Sequence, residues 1–295
     1  MIEYDAKRWF TILLQLRGSV LPSLSGRIAA VTAVGVLAAW LENHAEFSFA
    51  PLAHTLIGVP LGLLLVFRTN ASYDRFWEGR RLFGAIVNRC RDLSRQAATW
   101  LADDSRLCAD VRRLSLAMVV LLNQRLRNEN DLSALASLLT DSERVRLEPL
   151  SARSTVVLTW ITQRLAERAA RGQLSEQRLQ QMDLGLSGLI DALGGAERIM
   201  KTPVPFAYAH HIKLFVLLFC LTVPFAMSST MHWLTPVGAA LLAFGLFGID
   251  EIGVEIEEPF GYDPNDLPLD QICAAIERDT AEILLQARAG IPASD

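Results

Sequence analysis

The sequence predicts an all-α integral membrane protein with four membrane-spanning helices per subunit and a large helical cytosolic region. Of its 295 residues 51% are hydrophobic, yet 20% are charged and the mean hydropathy is only +0.27. The charges are segregated: apolar segments lie around 28 to 67 and 214 to 249, with a charged, helical region between them. No stretch has the alternating pattern of a strand, so membrane and cytosolic helical layers fit better than one soluble core.

The first apolar set contains two candidate crossings. Ile28–Leu41 is the first, preceded by Arg27, whose side chain can reach the interface. Phe47–Phe67 is the second; it carries no formal charge and has about the length, roughly 20 residues, that crosses a hydrocarbon core. Before them, residues 8–17 mix aromatic, aliphatic and basic side chains, which is typical of a helix at the membrane surface or of an ordinary packed amphipathic helix.

The second apolar set is long enough for two crossings. Leu214–Ile249 contains 36 residues without a formal charge, too many for a single span. The polar cluster Ser228–Thr230, followed by His232 and Trp233, marks the turn of a helical hairpin and an interfacial anchor.

The distribution of basic residues predicts the orientation. Arg68 to Lys213 holds 22 of the 28 Lys and Arg residues, whereas the links Glu42–Glu46 and Ser228–His232 hold none. The positive-inside rule therefore predicts a multi-pass membrane protein with both termini cytoplasmic. The expected segments are 1–67 with the first two crossings, a cytosolic helical region at 68–211, the last two crossings at 212–250, and a cytosolic segment at 251–295.

Two patterns on the second crossing concern helix packing. Val59, Leu63 and Phe67 recur every four residues and so share one gently drifting face, about 6 Å apart along the axis. Gly58 and Gly62 form a GxxxG pattern on the adjacent face, which allows a neighbouring helix to approach closely. From the pattern alone, the apolar stripe either points at a symmetry axis or packs against lipid or another helix.

Signals of catalysis, cofactors and metals are missing from the sequence. It has no GxSxG, Walker, HExxH or GxGxxG motif, and its four cysteines show no paired spacing. The acids of residues 251–270 could bind a hard cation, but without EF-hand spacing they better fit a helix end that faces the arginine-rich middle region. We therefore expect no enzyme, cofactor, metal site or nucleic-acid partner.

Three ordered motifs resemble the bacterial bestrophin homologues. They are GVPLGLLLVFRTNASYDRFWEGRRLFG at 58–84, ERIMKTPVPFAYAHH at 197–211, and EEPFGYDPNDLPL at 257–269. Together they span about 210 residues of the sequence. The resemblance implies a homopentameric ion channel with one axial pore, whose partners are the other copies of the chain, the lipid bilayer and permeant monovalent ions.

The resemblance also assigns roles to residues. Val59, Leu63 and Phe67 match the hydrophobic neck of the family's pore. A second constriction at the cytosolic end matches the region of Leu179 and Gln180, with Gln180 as the residue expected to line it.

The expected ion follows from the same resemblance. Animal members are calcium-activated anion channels with a dense run of acids after the last crossing, of which this sequence keeps Asp263 and Asp266 close together. Leu63 stands where animal members have an aromatic residue, and bacterial members favour sodium, so we expect monovalent cations to be preferred over anions. An anion channel of the same fold, and an oligomeric scaffold or sensor that does not conduct, are the alternatives.

Overall fold

The computed structural model describes Asp5 and Lys7–Ala289, and every regular element in these residues is helical. In chain order the helices are α1 (Trp9–Leu14), α2 (Leu21–Ala45), α3 (Pro51–Trp100), α4 (Ser105–Leu126), α5 (Asp141–Leu147), α6 (Arg153–Ala170), α7 (Glu176–Lys201), α8 (Phe206–Met231), α9 (Thr235–Glu257) and α10 (Leu269–Ala289). Short 3₁₀ turns lie at Leu132–Leu135 and His232–Leu234. The predicted all-α class is confirmed.

The chain divides into two compact units. The first comprises Met1–Trp77 and Thr202–Asp266, and the second comprises Glu78–Lys201 and Leu267–Asp295. Helix α3 belongs to both, because it continues without a break from Pro51 to Trp100.

The first unit packs α2, the first half of α3, α8 and α9 around an apolar core. Leu24, Leu61, Leu65, Val216 and Ala243 are among its buried side chains. Helices α2 and α9 approach so closely that a Cβ on Gly35 would lie 2.9 Å from the Cα of Pro236, a contact that only glycine allows. Small residues are the usual means of such close packing between membrane helices.

These helices are long and apolar enough to cross a membrane. By length and composition Leu21–Ala45, Pro51–Trp100 and Phe206–Glu257 qualify as spans. The last contains both α8 and α9, which are separated where His232 takes a positive φ of 46°. The predicted hairpin turn is therefore present at this position. The number of four crossings stays a prediction, in which α2, the start of α3, α8 and α9 would each cross once.

Apolar side chains also cover the outside of the first unit. Leu52, Val237, Leu241 and Phe206 are each more than half exposed. In water such surfaces would be costly, whereas in a bilayer they contact hydrocarbon at no cost. The surface of this unit thus agrees with a membrane environment.

The second unit is a helical bundle with a conventional apolar core. Leu114, Met118 and Leu122 on α4 are fully buried, as are Leu189 on α7 and Leu165 on α6. The apolar segment after Ser154 forms α6 inside this bundle. Local signals define its short elements: Asp104 caps α4 through the N–H of Leu107, and Thr140 with Glu143 forms a capping box on α5.

Candidate functional site

Helix α3 has one buried side and one exposed side within the first unit. Leu61 and Leu65 are 0% and 2% exposed. Val59, Leu63 and Phe67 are 70%, 54% and 55% exposed. Each step of two residues along a helix rotates the side-chain direction by about 200°. The two sets therefore lie on nearly opposite sides of α3. The stripe noticed in the sequence thus does not contribute to the core of its own chain.

The two glycines of the GxxxG pattern have different surroundings. A Cβ on Gly58 would lie 3.5 Å from the ring of Phe219 on α8, so Gly58 faces a helix of the same chain. At Gly62 no atom of the described residues lies within 4 Å of the Cβ position, apart from its two chain neighbours and the backbone of its own helix turn. Gly62 therefore leaves space open beside the exposed stripe.

The residues proposed for the cytosolic constriction lie on α7, in the second unit. Gln180 is exposed and Leu179 is half-buried, one turn after the start of the helix at Glu176. Leu184, one turn further along, is also more than half exposed. The start of α7 thus presents a surface that its own bundle does not cover.

A buried group of charges fixes α3 against α9 directly after the stripe. Arg68 is 2% exposed, and its Nε lies 3.2 Å from Oδ1 of Asp250, which is equally buried. Its Nη2 lies 3.5 Å from Oε2 of Glu257. The Nε contact lacks the alignment of a hydrogen bond, so the interaction is chiefly electrostatic.

Further contacts extend this group to α8 and to the loop before it. Lys213 donates from Nζ to Oδ2 of Asp250 over 3.2 Å. Glu257 accepts a hydrogen bond from the backbone N–H of Val204 through Oε1. Its carbonyl oxygen accepts one from Nε of Arg75, which also donates to the carbonyl oxygen of Thr202. Three helices of the first unit are therefore held in register by one polar network.

The sequence indicated part of this network. It predicted that acids after the last crossing would face the arginine-rich region, and the Arg68–Glu257 contact agrees with that interpretation. It missed Asp250 and Lys213 as partners. Their position in the sequence could have identified them, because Lys213 and Asp250 are the charged residues that bound the long apolar run of Leu214–Ile249.

The remaining acids after α9 surround a tight loop. Asp266 is 4% exposed and accepts a hydrogen bond from the backbone N–H of Asp263. Burial, together with the negative charges of Asp263, Glu258 and Glu255, raises the pKa of Asp266 to about 6. No group of three or more His, Cys, Asp or Glu residues within the described chain is arranged to hold a metal ion.

Comparison with known proteins places this arrangement in a family. The profile of the family described as Bacterial/Fungal Bestrophin protein matches residues 1–282. The chain belongs to the bestrophin family. The resemblance seen in its three motifs is thus confirmed.

Relatives of this bestrophin extend over nearly its whole length. A voltage-dependent anion channel-forming protein of Nostoc is 39% identical over 284 residues, covering 94% of this chain and 92% of the relative. A protein of the same description from Synechocystis is 36% identical over 281 residues, with the same coverage. These relatives are described as channel-forming proteins, which agrees with the expectation that the chain is not an enzyme.

Solved structures show the same fold. A variant of a bacterial bestrophin homologue from Klebsiella pneumoniae matches with a TM-score of 0.86 and 28% sequence identity, covering 90% of this bestrophin and 100% of that chain. A second variant matches with a TM-score of 0.84. The expected class, an all-α membrane protein with a bestrophin fold, is therefore confirmed.

Removing Arg68 from the buried network should destabilise the protein strongly. We expect Arg68→Gln to cost about 3–5 kcal/mol, because it removes the buried positive charge beside the carboxylates of Asp250 and Glu257 and leaves Asp250 with the half-exposed Lys213 as its remaining cationic partner. The midpoint of thermal unfolding of the detergent-solubilised protein measures the effect. Arg27→Gln is the matched control: Arg27 lies 2.7 Å from Glu251, but both are partly exposed, so this pair contributes about 0–1 kcal/mol. Equal midpoints for the two variants would contradict the structural role of the buried network.

Replacing Asp266 should stabilise the protein at neutral pH. Because its folded-state pKa is raised, folding favours the protonated form, and stability falls as the pH rises from 3.8, the ordinary pKa of an aspartate, to about 6. Asn keeps an oxygen for the Asp263 N–H but carries no charge. We expect Asp266→Asn to raise the unfolding midpoint at pH 7.5 and to lose that advantage near pH 4. A lower midpoint at pH 7.5 would show that the charge is needed.

Proposed function

We propose that the chain forms a homopentameric ion channel in which α3 surrounds a single axial pore. The observation that supports this most directly is the exposed apolar stripe of Val59, Leu63 and Phe67, opposite the buried side of the same helix. In a ring of identical chains, that side is available to face the axis. Membership in the bestrophin family and the channel-forming relatives favour conduction over a purely structural role.

In this proposal Val59, Leu63 and Phe67 form a neck that holds no ion tightly. Apolar constrictions of this kind gate by dewetting, so conduction depends on whether the tube is wide enough to keep a continuous water column. Gln180, with Leu179 beside it, would line a second constriction at the cytosolic end. A ring of amides there would pass hydrated ions more readily than an apolar ring.

We propose small monovalent cations as the preferred ions, since Leu63 replaces the aromatic neck residue of the animal channels that the sequence resembles. An anion channel is the second candidate, and it has support of its own: the relatives from Nostoc and Synechocystis are described as voltage-dependent anion channel-forming proteins. The reversal potential of the purified protein in a salt gradient separates the two candidates.

The proposed location is the cell inner membrane, with both termini and the residues from 68 to 211 in the cytoplasm. The distribution of Lys and Arg supports this orientation. A membrane scaffold or sensor built on the same fold would need no continuous pore. It would give no unitary currents in a planar bilayer, which separates it from a channel.

The assembly should contain five copies. Native mass spectrometry of the protein in mild detergent should give a mass of five times the 32.6 kDa of one chain. Raising the protein concentration should not increase this mass, because a closed ring has no open interface for further addition. A dominant monomer or dimer under the same conditions would contradict the proposed ring.

Shortening the neck should change conduction rather than folding. We expect Leu63→Ala to leave the oligomer intact and to raise the conductance or the open probability, because a wider neck stays wetted more readily. Single-channel recording in planar bilayers provides the measurement.

Leu65 provides the matched control on the same helix. It is 2% exposed in the core of the first unit, and a buried Leu→Ala change typically costs about 2–5 kcal/mol. Leu65→Ala should therefore lower the yield of folded oligomer. If Leu63→Ala instead disrupts assembly and leaves the unitary current unchanged, the stripe is a packing face.

A further inference from the structure

The first charged residues that follow the proposed neck on α3 are Arg68, Asp74 and Arg75. They lie in the same unit as the neck, on one continuous helix. In the sequence this stretch is arginine-rich, which alone would favour anions at the cytosolic side of the neck. In the structure the two arginines lie on one side of α3 and Asp74 lies on another.

Both arginines are turned away from the exposed side of α3. Arg68 is buried against Asp250 and Glu257. Arg75 is partly buried and donates hydrogen bonds to the carbonyl oxygens of Glu257 and Thr202. The carboxylates beside Arg68 offset its charge. Arg75 keeps its charge, but its guanidinium is directed at backbone carbonyl oxygens on the same side of α3 as Arg68.

Asp74 remains on the exposed side. It is solvent-exposed and makes no ion pair or hydrogen bond through its carboxylate within the described chain. At 100° per residue, Asp74 lies about 20° from the direction of Phe67, seven residues earlier, and about 20° from that of Leu63, eleven residues earlier. Its Cα is about 10 Å beyond that of Phe67 along the axis.

We propose that Asp74 biases the pore towards cations by placing a ring of carboxylates directly below the neck. This proposal rests on the proposed function, because a ring forms only if α3 surrounds the axis. A neck without fixed charge leaves selectivity to such flanking fields. A ring of carboxylates raises the local concentration of cations beside it and lowers that of anions.

The test measures the sodium-to-chloride permeability ratio of the purified oligomer in planar bilayers under a sodium chloride gradient. Asp74→Asn should lower the ratio severalfold relative to wild type, and Asp74→Lys should lower it further. Glu148→Gln is the matched control, because it removes an exposed acid after α5 that is outside α3; its ratio should equal that of wild type. An unchanged ratio in both Asp74 variants would overturn the proposal.

The same recordings distinguish a failure of the proposed channel function from a failure of the role of Asp74. If wild type gives no current at all, the proposed channel function fails, and the role of Asp74 fails with it; a current with an unchanged ratio overturns only the role of Asp74. If the Asp74 variants do not assemble, wild type is recorded at low and at high ionic strength. Screening should then lower the permeability ratio as salt rises, and a ratio that is independent of salt would overturn the proposal.

Discussion

The buried contact of Arg68 with Asp250 and Glu257 determines which side of α3 can face away from its own chain. Arg68 lies seven residues after Leu61, so a helix that buries the Arg68 guanidinium also buries Leu61 and Leu65. Val59, Leu63 and Phe67 are then placed on the other side. A buried charge without its partner costs several kcal/mol, so alternative rotations of α3 are strongly disfavoured.

The same contact keeps the positive charge of Arg68 away from the proposed conduction path. An arginine immediately after the neck would face the path if α3 were rotated by about 100°, one residue step. Its pairing with acids on α9 removes that positive charge and leaves the carboxylate of Asp74 on the exposed side. The pairing of Arg68 with the acids on α9 thus both fixes the rotation of α3 and supports the proposed preference for cations.

The sequence was sufficient to predict the helical class, the apolar segments and the turn near His232, because these depend on hydrophobic length and local breaks. The start of α3 was less predictable. The uncharged run begins at Phe47, but the helix begins at Pro51 after an extended segment in which the N–H of Phe49 bonds to the carbonyl of Phe225. A contact with another helix holds the extended segment before that boundary, and the local signal for the boundary itself is Pro51 at the first helical position.

The candidate site was predictable only in part, for a similar reason. The four-residue spacing identified the stripe, but nothing local distinguished an axis from lipid or a neighbouring helix. The partner of Arg68 is 182 residues away in sequence, and Gly58 faces Phe219 of its own chain. Such choices depend on tertiary packing. Gln180 is exposed, as a lining residue requires, and its place in a constriction stays a prediction.

The most direct measurement is an experimental structure of the purified oligomer in lipid nanodiscs by single-particle electron microscopy. We expect the α3 helices to be innermost, with Val59, Leu63 and Phe67 facing one closed axis and the Asp74 carboxylates forming the next ring. Arg68 should point outward from the axis to Asp250. Helices α3 on the lipid-facing periphery, or Leu63 packed between subunits away from any axis, would contradict the proposed pore.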